Sequence, residues 1–366
     1  KWILMESYNL IREINYWYSF FQYFDIKIHS DFNEHAIDTI AKQIALDRLN
    51  GVSFIAQRSY PESVKGKFYC YYPTDIFFSW GGDATQKINE MILNHNNPSI
   101  NSILVSGCQW VNQISNNRSV YLEKIKKKFL TNGAKTIIMF LDSNHDLNTN
   151  WKDQVVDTKI LEKIYISLLK MVIDNEEIAL IIKPKKMEFF DSLYNNICTY
   201  LNEADKKGRL HITEVAGEKP SDYASISDLV VGITCGGLPA SVIECAILNK
   251  PAVIYDYSDL SSVEKDFYSW GYQKVIFNNI ESMMSEIKLF SKNENKYNDF
   301  GEWGDYLVDF DPFQDHMSHS RIGFYLQLLL KFLNSGIEKK VVLKMANEAY
   351  SKKYGKEFIT TNSVKK

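Results

Sequence analysis

Continuous apolar runs of about six residues, separated by amphipathic stretches, constrain this chain most. Thr136-Ile137-Ile138-Met139-Phe140-Leu141 is apolar on both faces, and Ile178-Ala179-Leu180-Ile181-Ile182, Leu229-Val230-Val231-Gly232 and Ala252-Val253-Ile254-Tyr255 repeat the pattern. A strand wetted on one face alternates polar and apolar side chains, so runs this short and this apolar belong to strands covered on both faces. The stretches between them, residues 155–173, 188–204 and 240–248, read as helices. Strand and helix in alternation define an α/β protein with parallel sheets.

The first part of the chain reads the same way, with strands at residues 25–29, 52–56, 75–80 and 103–107 and helices between them. The aromatic opening, residues 2–24, reads as a helix packed on several faces. A length of 366 residues exceeds what one core supports and implies two domains. The expected division is a first α/β domain at 1–125 and a second at 126–310, with C-terminal helices at 311–366; the resemblance described below makes the first the acceptor side, the second the donor-binding side, and the helices a packing across both. From Ile337 to Lys366 eight Lys stand against three Glu, a surplus of five that reads as a solvated helix face and a frayed tail.

Charge and cysteine content remove several classes. With 42 Lys+Arg against 45 Asp+Glu the net charge is −3, which excludes a protein built chiefly to neutralise nucleic-acid phosphates. The five cysteines are scattered and contain no Cys-x-x-Cys, so neither a disulfide framework nor a zinc site is signalled, and a cytoplasmic location is expected. No apolar run approaches the roughly 18 to 20 residues that span a bilayer. No basic segment followed by an apolar stretch opens the chain, so no secretory leader is read, and Lys1 in place of Met reads as a trimmed start.

In an open parallel sheet ligands bind beyond the carboxyl ends of the strands, so the residues just after each strand are the candidates. In the later part these are Asp142, Asn144 and His145, Lys183 and Lys185, and Thr234, Gly236 and Gly237 leading into a helix with Ser241 and Glu244. A strand, a glycine loop and a helix start expose backbone N–H groups and a positive dipole end to a phosphate, and Gly236 and Gly237 let that phosphate approach. Glu244, a turn beyond Ser241, suits ribose hydroxyls. Neither Gly-x-Gly-x-x-Gly nor Gly-x-x-x-x-Gly-Lys-Ser/Thr occurs, which argues against dehydrogenase and P-loop readings. In the early part the strand-end acids and bases are His29, Asp31, Glu34, Asp75 and Asp83, of which His29 and Asp31 are the expected catalytic pair. Gln57 and Arg58 follow another strand, and the resemblance given next implies that they meet an acceptor. No ligand spacing supports a metal, and no cofactor is expected.

Three segments then carry a resemblance: Ser227-Asp228-Leu229-Val230-Val231-Gly232, Ser241-Val242-Ile243-Glu244-Cys245-Ala246 and Asn249-Lys250-Pro251-Ala252-Val253-Ile254-Tyr255-Asp256. Together they resemble the donor-binding domain of GT-B glycosyltransferases. Ile181-Ile182-Lys183-Pro184-Lys185 is similar to the Lys-Pro-His-Pro strand end of bacterial surface-polysaccharide transferases, with Lys185 where the His would stand. Residues 75–81 and Val105-Ser106-Gly107 are similar to closing strands of their N-terminal domain. The Glu-x7-Glu spacing of many retaining enzymes is missing, because Gly236 lies eight positions before Glu244.

The resemblance covers about residues 70 to 280 and implies two Rossmann-like domains facing a cleft. It also implies metal-independent transfer of a sugar from a CMP-, CDP-, UDP- or GDP-linked donor to a glycan or lipid-linked acceptor in capsule or lipopolysaccharide synthesis. The nucleotide-sugar is a co-substrate, and peripheral contact with the inner face of a membrane goes with such an acceptor. Two rival readings stand beside it: a GT-B-like sugar-nucleotide epimerase, and a non-catalytic nucleotide- or glycan-binding module of a larger synthase.

Overall fold

The structure, a computed structural model, describes residues 2–31, 37–60, 72–95, 100–111, 116–143, 156–213, 218–234, 237–257, 259–292 and 299–361. The chain divides into two compact units. Lys1–Asn112 and Val308–Lys366 form the first, and Gln113–Leu307 forms the second. The boundaries thus fall at 112/113 and 307/308, where the sequence reading placed 125/126 and 310/311.

In chain order the elements begin with α1 (Trp2–Tyr23), β1 (Ile28–Ser30), α2 (Ile37–Arg48), β2 (Val52–Ala56), β3 (Ile76–Ser79), α3 (Gly82–His95) and β4 (Ser102–Val105). The second unit holds α4 (Asn116–Thr131), β5 (Thr136–Leu141), α5 (Thr158–Asp174), β6 (Ile178–Lys183), α6 (Met187–Lys206), β7 (Leu210–Ile212) and α7 (Pro220–Ala224). It continues with β8 (Leu229–Thr234), α8 (Ala240–Ile247), β9 (Ala252–Asp256), α9 (Leu260–Val263), α10 (Lys265–Gly271), β10 (Ile276–Phe277) and α11 (Ile280–Ser291). The chain ends with α12 (Leu307–Phe310), α13 (Ser318–Asn334), α14 (Lys339–Tyr354) and β11 (Ile359–Thr361).

The first sheet has the order β1-β2-β3-β4-β11, parallel except that β11 pairs antiparallel with β4. Successive side chains on a strand point to opposite faces. Phe78 and Leu104 therefore pack with Tyr325, Leu329, Val342 and Tyr350 of α13 and α14, while Phe77 and Ile103 pack with Ile88 of α3. Both terminal helices thus belong to the first unit's core. Where a frayed tail was expected, residues 359–361 close the sheet edge. Lys339 anchors the start of α14 by an ion pair with Asp75 at 2.6 Å.

The opening helix also departs from expectation. Of α1 only Ile14 and Phe21 are buried, against Ala41, Ala45 and Leu46 of α2. Trp2, Ile3 and Leu4 are 70 to 76% exposed, so the aromatic surplus there is surface rather than core.

The second sheet has the order β10-β9-β8-β5-β6-β7, all parallel. Every residue of β5, β6 and β8 is buried, as apolar runs covered on both faces require. The strand after β5 joins on one side, and the chain returns after β7 to place β8 on the other. The carboxyl ends of β5 and β8 therefore flank a topological switch point, where such sheets bind ligands. Among the described residues no helix is long and apolar enough to cross a membrane.

Candidate functional site

The strand-end residues of the second unit converge at that switch point. Lys183, the last residue of β6, is 6% exposed, and burial pulls its ammonium below the usual lysine range although Asp142, Glu218 and Glu244 oppose the shift. Glu244, on the buried face of α8, is 8% exposed. Burial pushes its carboxyl up to about 8, with Lys183 and Lys219 pulling the other way. These four charged groups, Lys183, Lys219, Glu218 and Glu244, act on one another at one edge of one sheet.

Asp142, just past β5, is held on both oxygens. The buried Tyr165 hydroxyl donates to Oδ2 at 2.8 Å, and the Lys185 backbone N–H donates to Oδ1. The Lys185 ammonium, by contrast, is on an exposed residue. The Thr234 hydroxyl donates to the Gly237 carbonyl at 2.7 Å, tying the end of β8 to the approach of α8. Ser241 lies half-buried in the first turn of α8. The N-cap of that helix is Pro239, which supplies no side-chain cap, and its carbonyl accepts from the Val242 and Ile243 N–H groups at 2.9 and 3.2 Å. A Cβ on Gly232 would lie 2.3 Å from Val242 Cγ2, so this glycine sets how closely α8 packs on β8. Asn144, His145 and Gly236 lie outside the described residues.

Two other residues of the resembling segments bind the protein itself. Asp228 accepts from the Ile137 N–H at 2.8 Å, and the Lys250 ammonium donates to the Ser225 and Ser227 carbonyls at 3.2 and 3.0 Å. They fix the register of β8 and the turn into β9.

Sequence reasoning missed the groups that position Glu218. Arg118 donates to Glu218 at 2.8 Å and to Asp222 at 3.2 Å, and its guanidinium sits 4.8 Å from the Tyr223 ring centroid and 5.0 Å from that of Tyr121. No local signal marks this cluster, since Arg118 and Glu218 are 100 residues apart. Tyr165 was missed for a related reason, lying mid-helix and away from any strand end.

In the first unit, His29 Nε2 lies 3.3 Å from Asp31 Oδ2, and Lys42 donates to Asp31 Oδ1 at 3.1 Å. Burial alone would raise the Asp31 carboxyl, but these two partners outweigh it and hold it below the usual range. His29 rests against Phe21, with ring centroids 5.2 Å apart. Gln57 is 2% exposed. Its Oε1 accepts from the Trp80 N–H at 2.7 Å and its carbonyl from the Trp80 indole at 2.9 Å, so it braces the turn after β3, whereas Arg58 is exposed. Asp75 precedes β3 and binds Ser53 and Lys339 at the amino end of the sheet. Asp83 pairs with Lys87 at 3.1 Å in the first turn of α3, and Glu34 lies outside the described residues.

The carboxyl end of β4 is sealed by the returning chain. Asp311, 3% exposed, accepts from the N–H groups of Cys108, Phe313 and Gln314 at 3.0 to 3.1 Å. Asp315 and Arg321, next along the chain, pair with each other. Among the described residues no three His, Cys, Asp or Glu side chains form a metal-holding group.

No protein-family model matches the sequence, and no curated protein does. Solved structures do. The S. aureus MnaA–UDP co-structure superposes with a TM-score of 0.51 at 14% identity, covering 89% of this chain and 82% of that one. A Listeria monocytogenes protein assigned as a UDP-N-acetylglucosamine 2-epimerase gives a TM-score of 0.54 at 13% identity, covering 90% and 80%. At such identities the likeness shows the fold, which is that of the GT-B class with two Rossmann-like parallel-sheet units.

Proposed function

We propose that the second unit binds a nucleotide-activated sugar at the switch point between β5 and β8, and that the chain transfers that sugar to a glycan or lipid-linked acceptor in surface-polysaccharide synthesis. The observation that carries this reading is the burial of Lys183 and Glu244 together at the carboxyl edge, since two opposed ionisable groups are kept there at a desolvation cost. Lys183 and the start of α8 stabilise the charge that grows on the departing phosphate, and Glu244 receives the ribose hydroxyls. In the first unit His29, oriented through one ring nitrogen by Asp31, takes the acceptor proton on the other. No metal enters these steps.

A second reading, sugar-nucleotide epimerisation, is favoured by the two neighbours above, one bound to UDP and the other assigned as a 2-epimerase. The decisive experiment is a thermal-shift panel of CMP, CDP, UDP and GDP on the chain and on Lys183→Ala and Glu244→Ala. A ligand selective for the native state raises the midpoint by mass action. A shift with one nucleotide that both variants lose supports the site, and no shift with any nucleotide overturns it. Nucleotide release that requires added acceptor then separates transfer from epimerisation.

A further inference from the structure

A groove of about 470 Å³ runs between α5 and α11 and extends to the amino-terminal edge of the second sheet. It reaches Ile178, the first residue of β6, and Ser291 beside Thr136, the first residue of β5. Two stripes face each other across it with the same spacing: Lys163, Ser167, Lys170 and Asp174 on α5, and Glu281, Ser285, Lys288 and Lys292 along α11 and its cap. Residues four and seven apart share a helix face, so each stripe presents its charges to the groove.

The charges do not balance. Lys163 and Glu281 neutralise each other across one end. Beyond that bridge, Lys170, Lys288 and Lys292 line the groove with Asp174 as the one acid among its lining residues there, and the Lys170 ammonium also lies 5.4 Å from the Tyr200 ring centroid. An excess of positive charge along one opening favours an anion there. Met171, Ile178, Ile280 and Met284 supply an apolar floor, and the volume suits a small organic ligand.

We propose that this groove is a second anion site, separate from the carboxyl-edge site, that takes the phosphate group of a phosphate ester. Lysine ammoniums act on phosphate as point charges with several donors each, and the Ser285 hydroxyl adds a neutral donor at the same rim. The ester's carbon skeleton lies on the apolar floor.

The test is calorimetric titration of inorganic phosphate, at low salt, into the chain, into a Lys288→Glu/Lys292→Glu double variant and into Lys183→Ala. The expected result is binding by the chain and by Lys183→Ala, weakened about tenfold or more in the charge reversal and lost as salt screens the lysines. No binding by the chain overturns the proposal, as does equal binding by the charge reversal. Loss in Lys183→Ala alone overturns it too, by returning the ion to the carboxyl edge. Glycerol phosphate against poly(glycerol phosphate) then identifies the source, because a free ester fills the groove alone whereas a polymeric ester gains affinity with chain length.

Discussion

The Tyr165 hydroxyl, buried in the core of the second unit, donates to the Asp142 carboxylate at 2.8 Å. Burial and that neighbouring charge both hold the phenol well above its usual range, so it remains a donor at any working pH. The pair links the first strand of the unit to the helix that follows, and it fixes the carboxylate from which the Lys183–Lys185 turn is also held.

Tyr165→Phe removes this donor without changing the packing volume. A buried acceptor left short of a partner costs about 1 to 3 kcal/mol. The expected loss appears as a lower urea midpoint with an unchanged slope, and a midpoint equal to that of the parent chain would show the bond to be dispensable.

Glu244 predicts a pH dependence. Its carboxyl titrates near 4.5 in an unfolded chain and is pushed up to about 8 in the fold. Between these values the native state holds a proton that the unfolded state has released. Unfolding free energy from this group therefore falls as pH rises from about 4.5 to 8, by at most ~1.4 kcal/mol per pH unit. Glu244→Gln is expected to flatten that decline in unfolding curves taken at pH 5, 6.5 and 8. An identical slope in the variant would refute the assignment.

Asp311 collects three backbone N–H groups where the chain returns to the first unit. Asp311→Ala strands all three, at about 1 kcal/mol or more each, and is expected to lower the melting temperature of the first unit well beyond any exposed Asp→Ala control.

Gly81→Ala tests the same junction by shape. A Cβ there would lie 2.3 Å from the Asp309 carbonyl oxygen and 2.6 Å from that of Phe310, and backbone cannot swing aside as a side chain can. We expect a loss of about 3 kcal/mol, whereas Gly82→Ala, whose Cβ meets nothing within 4 Å, is tolerated.

What the sequence disclosed follows from how locally each feature is determined. Strands β2 and β5 are read to the residue because their burial is written in their own apolar residues. Strand β11 is invisible, since Ile359-Thr360-Thr361 pairs with a strand more than 250 residues earlier and has no pattern of its own. Helix α1 shows the converse, because an aromatic-rich helix reads alike whether its faces are covered or bare. At the site, Lys183 and Glu244 are legible from the strand-end rule. Asp228 and Lys250, which precede their strands and enter only through the resemblance, turn to backbone groups, and nothing local reveals Arg118, whose partners lie about 100 residues later.

The pairing of β11 with β4 also sets a timetable for synthesis. On the ribosome β4 emerges roughly 250 residues before its outer partner, which at about 5 to 20 residues per second leaves its edge open for roughly 13 to 50 s. Once residue 307 has been made, the second unit has all of its own strands to fold with, while the first still has an unclosed edge and lacks two helices of its core. The first unit therefore cannot complete its sheet and core until the chain has been made through residue 361.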